Sequence, residues 1–171
     1  MYFSLDGKFW TLDEIGDVEW FMLVQLPQAA DINQSEKGRE RLLPDPIRDS
    51  DEEEFLVDWK EFVVPELETQ FTQDVEKVAA DLDRAEEFEE DGNLLRRVSV
   101  PNDHAETWYR VLNQARLIIN EEHDMSKVEE SLILGENNPS EVGEKRWLVM
   151  VQFRIYAAIQ EFLLSELMDA S

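Results

Sequence analysis

Polar and apolar residues alternate in two short segments of the chain. Both segments are predicted to form β-strands. Residues 3–11, FSLDGKFWT, are expected to form a β-hairpin, because Asp6-Gly7 is a favoured two-residue turn. Residues 96–100, RRVSV, alternate in the same way and predict a third strand that stops at Pro101. An isolated hairpin is only marginally stable in water, so the hairpin needs such a partner.

Elsewhere the apolar residues recur at helical spacing, and capping residues predict where the helices begin. Thr11 and Glu14 have capping-box spacing and predict a first helix over 12–26. A second capping box at Ser50 begins an acidic helical segment over 50–91, either one helix kinked at Pro65 or a helix pair. Residues 28–49 between them are polar and predict a long ordered loop.

Two more helices are predicted in the second half of the chain. One spans residues 102–124, and the other spans 138–169 with Asn138 as its cap and Pro139 in its first turn. The last helix is apolar on almost every side, so we expect it to be central. The predicted fold is a single α+β, mainly α, domain over residues 1–171. A small N-terminal hairpin accompanies helices that surround the C-terminal one.

Composition limits the location and the partners of the protein. The most apolar window, 147–168, has the length of a membrane span, but Arg154 and Glu161 would be costly in lipid, so we interpret it as a core helix. The N-terminus lacks the basic and apolar regions of a signal peptide, and a cytoplasmic location is expected. The net charge of −24 argues against direct binding to nucleic acid or to anionic membranes, because phosphate contacts need Lys and Arg.

The negative charge is concentrated in one region. Residues 49–91 contain 18 acidic and 3 basic residues, a net charge of −15. Such a surface either attracts a basic protein partner or only keeps the chain soluble.

No motif of a common enzyme or metal site is present. The segment beginning at Asp31 resembles a calcium loop but has Glu36 where glycine is required and Leu42 in place of the last ligand. The two histidines belong to no zinc motif, there is no cysteine, and no phosphate-binding or nucleophile-elbow motif occurs. We expect no metal, no cofactor and no catalytic residue, and therefore favour a non-enzymatic protein.

One cluster of polar residues interrupts an apolar helix face. Arg116 lies at the edge of the apolar arc of the 102–124 helix, and Tyr109 and Asn113 extend that edge outward. A partly buried arginine needs a carboxylate or carbonyl oxygens, and one hypothesis pairs it with Asp45, Asp74 or Asp81. The other hypothesis is a small pocket that binds a carboxylate or phosphate.

Several short motifs resemble a known family. They are RERLLPD at 39–45, EEEF at 52–55 and AETWYRVLNQARLIIN at 105–120. They resemble the bacterial domain-of-unknown-function family numbered two thousand and seventeen, in which the order of these motifs is similar. The resemblance implies no established activity or cofactor. It implies genes near the adaptor of the Clp protease and, for some members, regulation through protein contacts.

These observations favour a regulatory or adaptor-type protein that acts through protein contacts. A ligand-binding or enzymatic domain with an anion site around Arg116 is the alternative. We expect a protein partner that is basic or related to proteolysis or regulation. We also expect that the chain can form a homodimer through the last helix or the Trp59–Phe62 face, because the last helix needs many neighbours.

Overall fold

The computed structural model describes residues 1–46, 53–125, 127 and 143–168. These residues form a mainly helical α+β fold with one four-stranded antiparallel sheet, which confirms the predicted fold class. The elements in chain order are β1 (Tyr2–Asp6), β2 (Phe9–Ile15), α1 (Asp17–Val24), α2 (Leu26–Ala29), α3 (Glu36–Leu42), α4 (Glu53–Asp58), a π-helical turn (Trp59–Val63), α5 (Val64–Leu82), β3 (Glu86–Glu90), β4 (Asn93–Pro101), a 3₁₀ turn (Asn102–His104), α6 (Ala105–His123), α7 (Glu144–Leu163) and a second π-helical turn (Leu164–Met168).

The sheet joins the N-terminal hairpin to a second hairpin from the middle of the chain. Its strand order is β1-β2-β4-β3, with every neighbouring pair antiparallel. The predicted first hairpin is present, but its two turn residues are Gly7 and Lys8, because Asp6 pairs with Phe9. Strand β4 contains the predicted strand 96–100 and pairs with β2, so it supplies the partner that the hairpin needs.

Two predicted boundaries in the first fifty residues are wrong. Residues 12–15 continue β2, and the first helix begins at Asp17, because Leu12 pairs with Val98 across the sheet. Thr11 therefore lies inside a strand and caps no helix. The predicted loop over 28–49 contains helix α3, whose cap residue Ser35 accepts a hydrogen bond of 2.9 Å from the backbone N–H of Gly38.

The acidic segment predicted to be helical over 50–91 changes to a strand near its end. Helix α5 stops at Leu82, and residues 86–90, EEFEE, form β3. Asp91 and Gly92 both have positive φ, as a tight two-residue hairpin turn requires, and this turn folds β3 back onto β4. Glutamate is a poor strand former, so this strand depends on its pairing with β4, which follows it directly in the chain. The predicted cap at Ser50 lies outside the described residues.

Helix α6 is the most enclosed helix of the core. The inner face of the sheet carries Trp10 and Val98, both fully buried, and Trp108 of α6 packs its ring edge-on against Trp10 with centroids 5.2 Å apart. Helices α2, α3, α5 and α7 contact α6 on its other sides. The α-helix, Ala105–His123, lies within the predicted range 102–124, and a 3₁₀ turn occupies Asn102–His104.

Helix α7 buries one face and exposes the other. Tyr156, Ile159 and Leu163 are fully buried, and the Tyr156 hydroxyl donates a hydrogen bond of 2.8 Å to the carbonyl of Met22. By length and composition the helix Lys145–Leu167 is capable of crossing a membrane, but core helices pass the same test, and 39% of its apolar window is buried in the fold. The predicted cap residues Asn138 and Pro139 lie outside the described residues, and the described helix begins after Gly143.

Helix α3 approaches α6 closely at a glycine. A Cβ atom added to Gly38 would lie 2.7 Å from Cγ1 of Ile118, so a side chain at position 38 would collide with α6. Both residues are buried, and the packed surroundings leave little room for the collision to relax.

We predict that Gly38→Ala lowers the free energy of unfolding by about 1 to 3 kcal/mol, because the new methyl group overpacks the α3–α6 contact. Urea denaturation followed by tryptophan fluorescence measures this change. Gly143→Ala is the matched control, since no atom lies within 4 Å of the position of its Cβ, and a change below about 1 kcal/mol is expected there. Equal effects of the two substitutions would contradict the close contact.

Candidate functional site

Arg116 is held between α6 and α7. Its Nη1 donates a hydrogen bond of 2.6 Å to Oε1 of Gln160, and its guanidinium lies 4.6 Å from the centre of the Phe153 ring. Gln160 is buried and its Nε2 donates to the backbone carbonyl of Tyr109 at 3.3 Å. Arg116 and Tyr109 are thus brought together through a glutamine, whereas the Asn113 side chain is exposed.

The three acids expected beside Arg116 pair with other cations. Asp45 lies 3.3 Å from Lys60 at the surface, whereas Asp74 pairs with Arg110 and Asp81 accepts a hydrogen bond from Trp108. The expected pairing of Arg116 with one of these carboxylates is therefore wrong. The reason is that Arg116 contacts Gln160 of α7, whereas the two acids of α5 contact Arg110 and Trp108 of α6.

Asp81 is a buried carboxylate with three donors around it. It is 1% exposed, and its Oδ2 accepts a hydrogen bond of 2.9 Å from Nε1 of Trp108 and lies 2.8 Å from Nδ1 of His104. Its Oδ1 accepts a hydrogen bond of 2.8 Å from Arg84. A buried carboxylate that is satisfied in this way joins α5 to the beginning of α6.

The Asp81–His104 pair has the geometry that orients a histidine in a catalytic dyad. A general base also needs a substrate or nucleophile within hydrogen-bond reach. Among the described residues, the His104 ring forms a hydrogen bond with Asp81 and with no other residue. The sequence identified Asp81 as an inward-facing acid, but it gave no signal for His104 as its partner, because the two residues are 23 positions apart.

Asp74 forms a second link between α5 and α6. Arg110 donates from Nε to Oδ2 at 2.7 Å and from Nη2 to Oδ1 at 3.0 Å, which is a bidentate pair. The hydrogen bond that Arg110 donates to Asp74 raises the pKa of Arg110 above its ordinary value. Glu106 lies 2.7 Å from the same guanidinium at i,i+4 spacing; this spacing is a signal in the sequence that could have identified Arg110, which sequence analysis missed.

The side chains of Arg96 and Arg97, which are adjacent in β4, lie on opposite faces of the sheet. Arg96 faces inward, where it contacts Asp17 of α1 at 2.8 Å and Glu87 of β3 at 2.9 Å. Arg97 faces outward, and its hydrogen bond of 2.6 Å holds the pKa of Asp13 below its usual value. Arg96 thus joins α1 and β3 to β4, Arg97 joins β4 to β2, and sequence analysis assigned neither residue a role.

Two open surfaces formed by the described residues bear on function. The first, called here the acidic edge, is strand β3 (Glu86–Glu90), which lies at one end of the sheet. The second is the α7 groove, a cavity of about 750 Å³ lined by Met1, Phe3, Val18, Glu19, Trp147, Met150, Val151, Arg154, Ile155 and Ala158. Among the described residues, no group of three or more His, Asp or Glu side chains is arranged to hold a metal ion.

We predict that Asp81→Ala lowers the free energy of unfolding by about 3 kcal/mol, because it leaves Trp108 and Arg84 without their buried acceptor. Chemical denaturation measures the loss. Asp83→Ala removes the same charge from an exposed position two residues away and is expected to change stability by less than about 0.5 kcal/mol. Similar losses in the two variants would show that charge, and not the buried contact, is responsible.

Comparison with known proteins places the chain in a family without assigning an activity. No curated protein and no solved structure matches the chain. One family model, described as a domain of unknown function, matches residues 11–167. That range covers the sheet from β2 onward and every helix described above. The chain therefore belongs to the domain-of-unknown-function family DUF2017.

Proposed function

We propose that this protein is a non-enzymatic regulatory or adaptor-type protein that binds a basic, extended segment of another protein at the acidic edge. Its partner is a protein and neither a nucleic acid nor a membrane, and the binding takes place in the cytoplasm. The observation that carries the proposal is the open outer edge of β3, a strand in which four of five residues are glutamates.

The charges of the acidic edge are unequally neutralised. Glu87 is paired with Arg96, and Glu86 lies opposite Arg97 in the sheet. Glu89, Glu90 and the following Asp91 are exposed, and none of them has an ion pair within the described part of the chain. The end of the β3–β4 hairpin therefore carries a concentrated negative potential, which favours encounter with a basic partner.

The backbone of β3 provides the second element of recognition. In a hairpin with a two-residue turn, the pair that flanks the turn is hydrogen-bonded, and the next pair is not. Here Glu90 and Asn93 flank the turn, so the N–H and C=O of Glu89 point away from β4 toward the free edge. An extended segment with alternating basic side chains would add there as a fifth strand.

Glutamates on an edge strand also have a simpler explanation, because charged residues protect free edges from aggregation. The two explanations differ in what they predict for a basic strand. Protection alone predicts no binding, whereas recognition predicts saturable binding that weakens with salt.

We predict that a fluorescent peptide of about ten residues with alternating Lys and Val binds the protein, whereas its Gln and Val counterpart does not. Fluorescence anisotropy measures the affinity. Glu89→Lys combined with Glu90→Lys is expected to weaken binding at least about 10-fold. The control is Glu36→Lys with Glu40→Lys, which reverses two exposed charges on α3. An equal loss in the control would show that only net charge matters and would refute the site.

A second pair of variants tests strand addition. Glu89→Pro removes the outward N–H, and proline is tolerated at such a position on an edge strand. Glu89→Gln removes the same charge and keeps the N–H. We expect Glu89→Pro to bind the basic peptide at least about 5-fold more weakly than Glu89→Gln. Equal affinities would exclude a hydrogen-bonded fifth strand.

The alternative function is an anion-binding or enzymatic site around Arg116, and one observation favours it. The Nε of Arg116 is buried and has no hydrogen-bond partner in the described structure. A thermal-shift screen of small carboxylates and phosphates tests this alternative. A ligand that raises the melting temperature of the wild-type protein, and does not raise that of Arg116→Ala, would support it.

A further inference from the structure

Strand β1 (Tyr2–Asp6) forms the edge of the sheet that lies opposite the acidic edge. Among the strands that the structure describes, β2 is its one neighbour. Free sheet edges in proteins usually carry charged residues or proline, which prevent pairing with another chain. The acidic edge has glutamate at four of five positions, whereas β1, with the sequence YFSLD, has a single charge at its end. The edge of β1 is therefore open to pairing with another strand.

The register of the first hairpin determines which backbone groups of β1 face outward. Asp6 and Phe9 flank the two-residue turn, so this pair is hydrogen-bonded and the next pair, which contains Leu5, is not. The N–H and C=O groups of Leu5 and, two residues earlier, of Phe3 therefore point away from β2. The Phe3 ring stacks on Phe162 of α7, with centroids 5.0 Å apart, which holds the strand against the fold. Strand β1 thus presents a preformed row of donors and acceptors.

The surroundings of β1 have little charge. Residues 1–12 contain one acidic and one basic residue, whose charges cancel, in a chain of net charge −24. Two copies of this chain repel each other over most of their surfaces, and that repulsion is small where two β1 edges meet. Tyr2 and Leu5 are 63% and 47% exposed, and strand pairing would cover part of this apolar surface.

We propose that β1 pairs with β1 of a second copy in antiparallel orientation, so that the two four-stranded sheets become one continuous sheet. A two-fold axis beside Ser4, the middle residue of the strand, would pair Phe3 of each copy with Leu5 of the other. Both residues have outward backbone groups, so each such pair would exchange two hydrogen bonds. Tyr2 would face Asp6 of the other copy, so no like charges would lie opposite each other. The strand is complementary to itself, as a two-fold interface requires.

Symmetric pairing also limits the association to two copies. It uses both β1 edges, and the two edges that remain are the acidic β3 strands, which repel each other. Phe3 also lines the α7 groove, so the added strand would border that groove. The proposal does not depend on the function proposed for the acidic edge, because the two interactions use opposite edges of the sheet.

A cysteine at the proposed axis tests the pairing directly, because the chain has no cysteine of its own. In a non-hydrogen-bonded antiparallel pair the Cα atoms are about 4.5 Å apart, a distance that a disulfide can span. We expect Ser4→Cys to form a disulfide-linked dimer under mild oxidation, measured by electrophoresis without reductant. The matched control is Ser99→Cys, which is exposed on the same face of the sheet in β4 and is expected not to cross-link. Equal cross-linking of the two variants would contradict the proposed axis.

Sedimentation equilibrium on the full chain measures the dimer without a cross-link. We expect the wild-type protein to dimerise at concentrations below roughly 100 µM, and Ser4→Lys to weaken the dimer at least about 10-fold by placing two lysines opposite each other. Because Ser4→Lys reduces the net negative charge of the chain, added overall repulsion cannot explain this loss. Ser99→Lys makes the same substitution away from the edge and is expected to leave the dimer intact.

A second pair of variants tests the backbone hydrogen bonds of the interface. Leu5→Pro removes an outward N–H that takes no part in pairing with β2, whereas Leu5→Ala shortens the same side chain and keeps the N–H. We expect Leu5→Pro to weaken the dimer at least about 5-fold more than Leu5→Ala does. Circular dichroism and melting temperature establish that both monomers are folded.

A wild-type protein that is monomeric at roughly 100 µM, or a dimer that survives both Ser4→Lys and Leu5→Pro, would overturn the proposal. A monomeric wild-type protein that binds an uncharged peptide of alternating Thr and Val, and loses this binding in Leu5→Pro, would overturn it in favour of a strand from another protein.

Discussion

Trp108 of α6 contacts both the sheet and α5, so the sheet, α5 and α6 meet at this residue. Its ring packs against Trp10 on the inner face of the sheet, and its Nε1 donates to the buried Asp81 of α5. A large aromatic side chain with one polar atom suits this position, because it contributes apolar contact on one side and a directed hydrogen bond on the other. The sheet, α6 and α5 are thereby held in one arrangement, and α7 packs on the remaining side of α6.

The few cations of this acidic chain are used mainly to join elements. Arg96 connects β3 and α1 to the sheet, Arg110 connects α6 to α5, and Arg39 of α3 pairs with Glu68 of α5. With 16 basic and 40 acidic residues, most acids have no cation available. The unneutralised acids gather at the surface, where solvent screens them, and the end of the β3–β4 hairpin is one such place.

Helix periodicity was sufficient to predict the mainly α fold, the 102–124 helix and the inward direction of Asp74 and Asp81. These are local properties, because the spacing of apolar residues along one helix decides which of its faces is buried. The sequence also located strand 96–100 from its alternation.

Only the tertiary structure decided which neighbour each buried face would meet. Arg116 contacts Gln160 and not an acid, because α7 packs on its side of α6, and no local pattern reports which helix packs there. Strand β3 also depends on its pairing, although its turn, Asp91-Gly92, is the same dipeptide that predicted the first hairpin. Residues EEFEE have a weak strand preference of their own and become a strand through backbone pairing with β4 and ion pairs such as that between Glu87 and Arg96, which bring residues nine positions apart into contact.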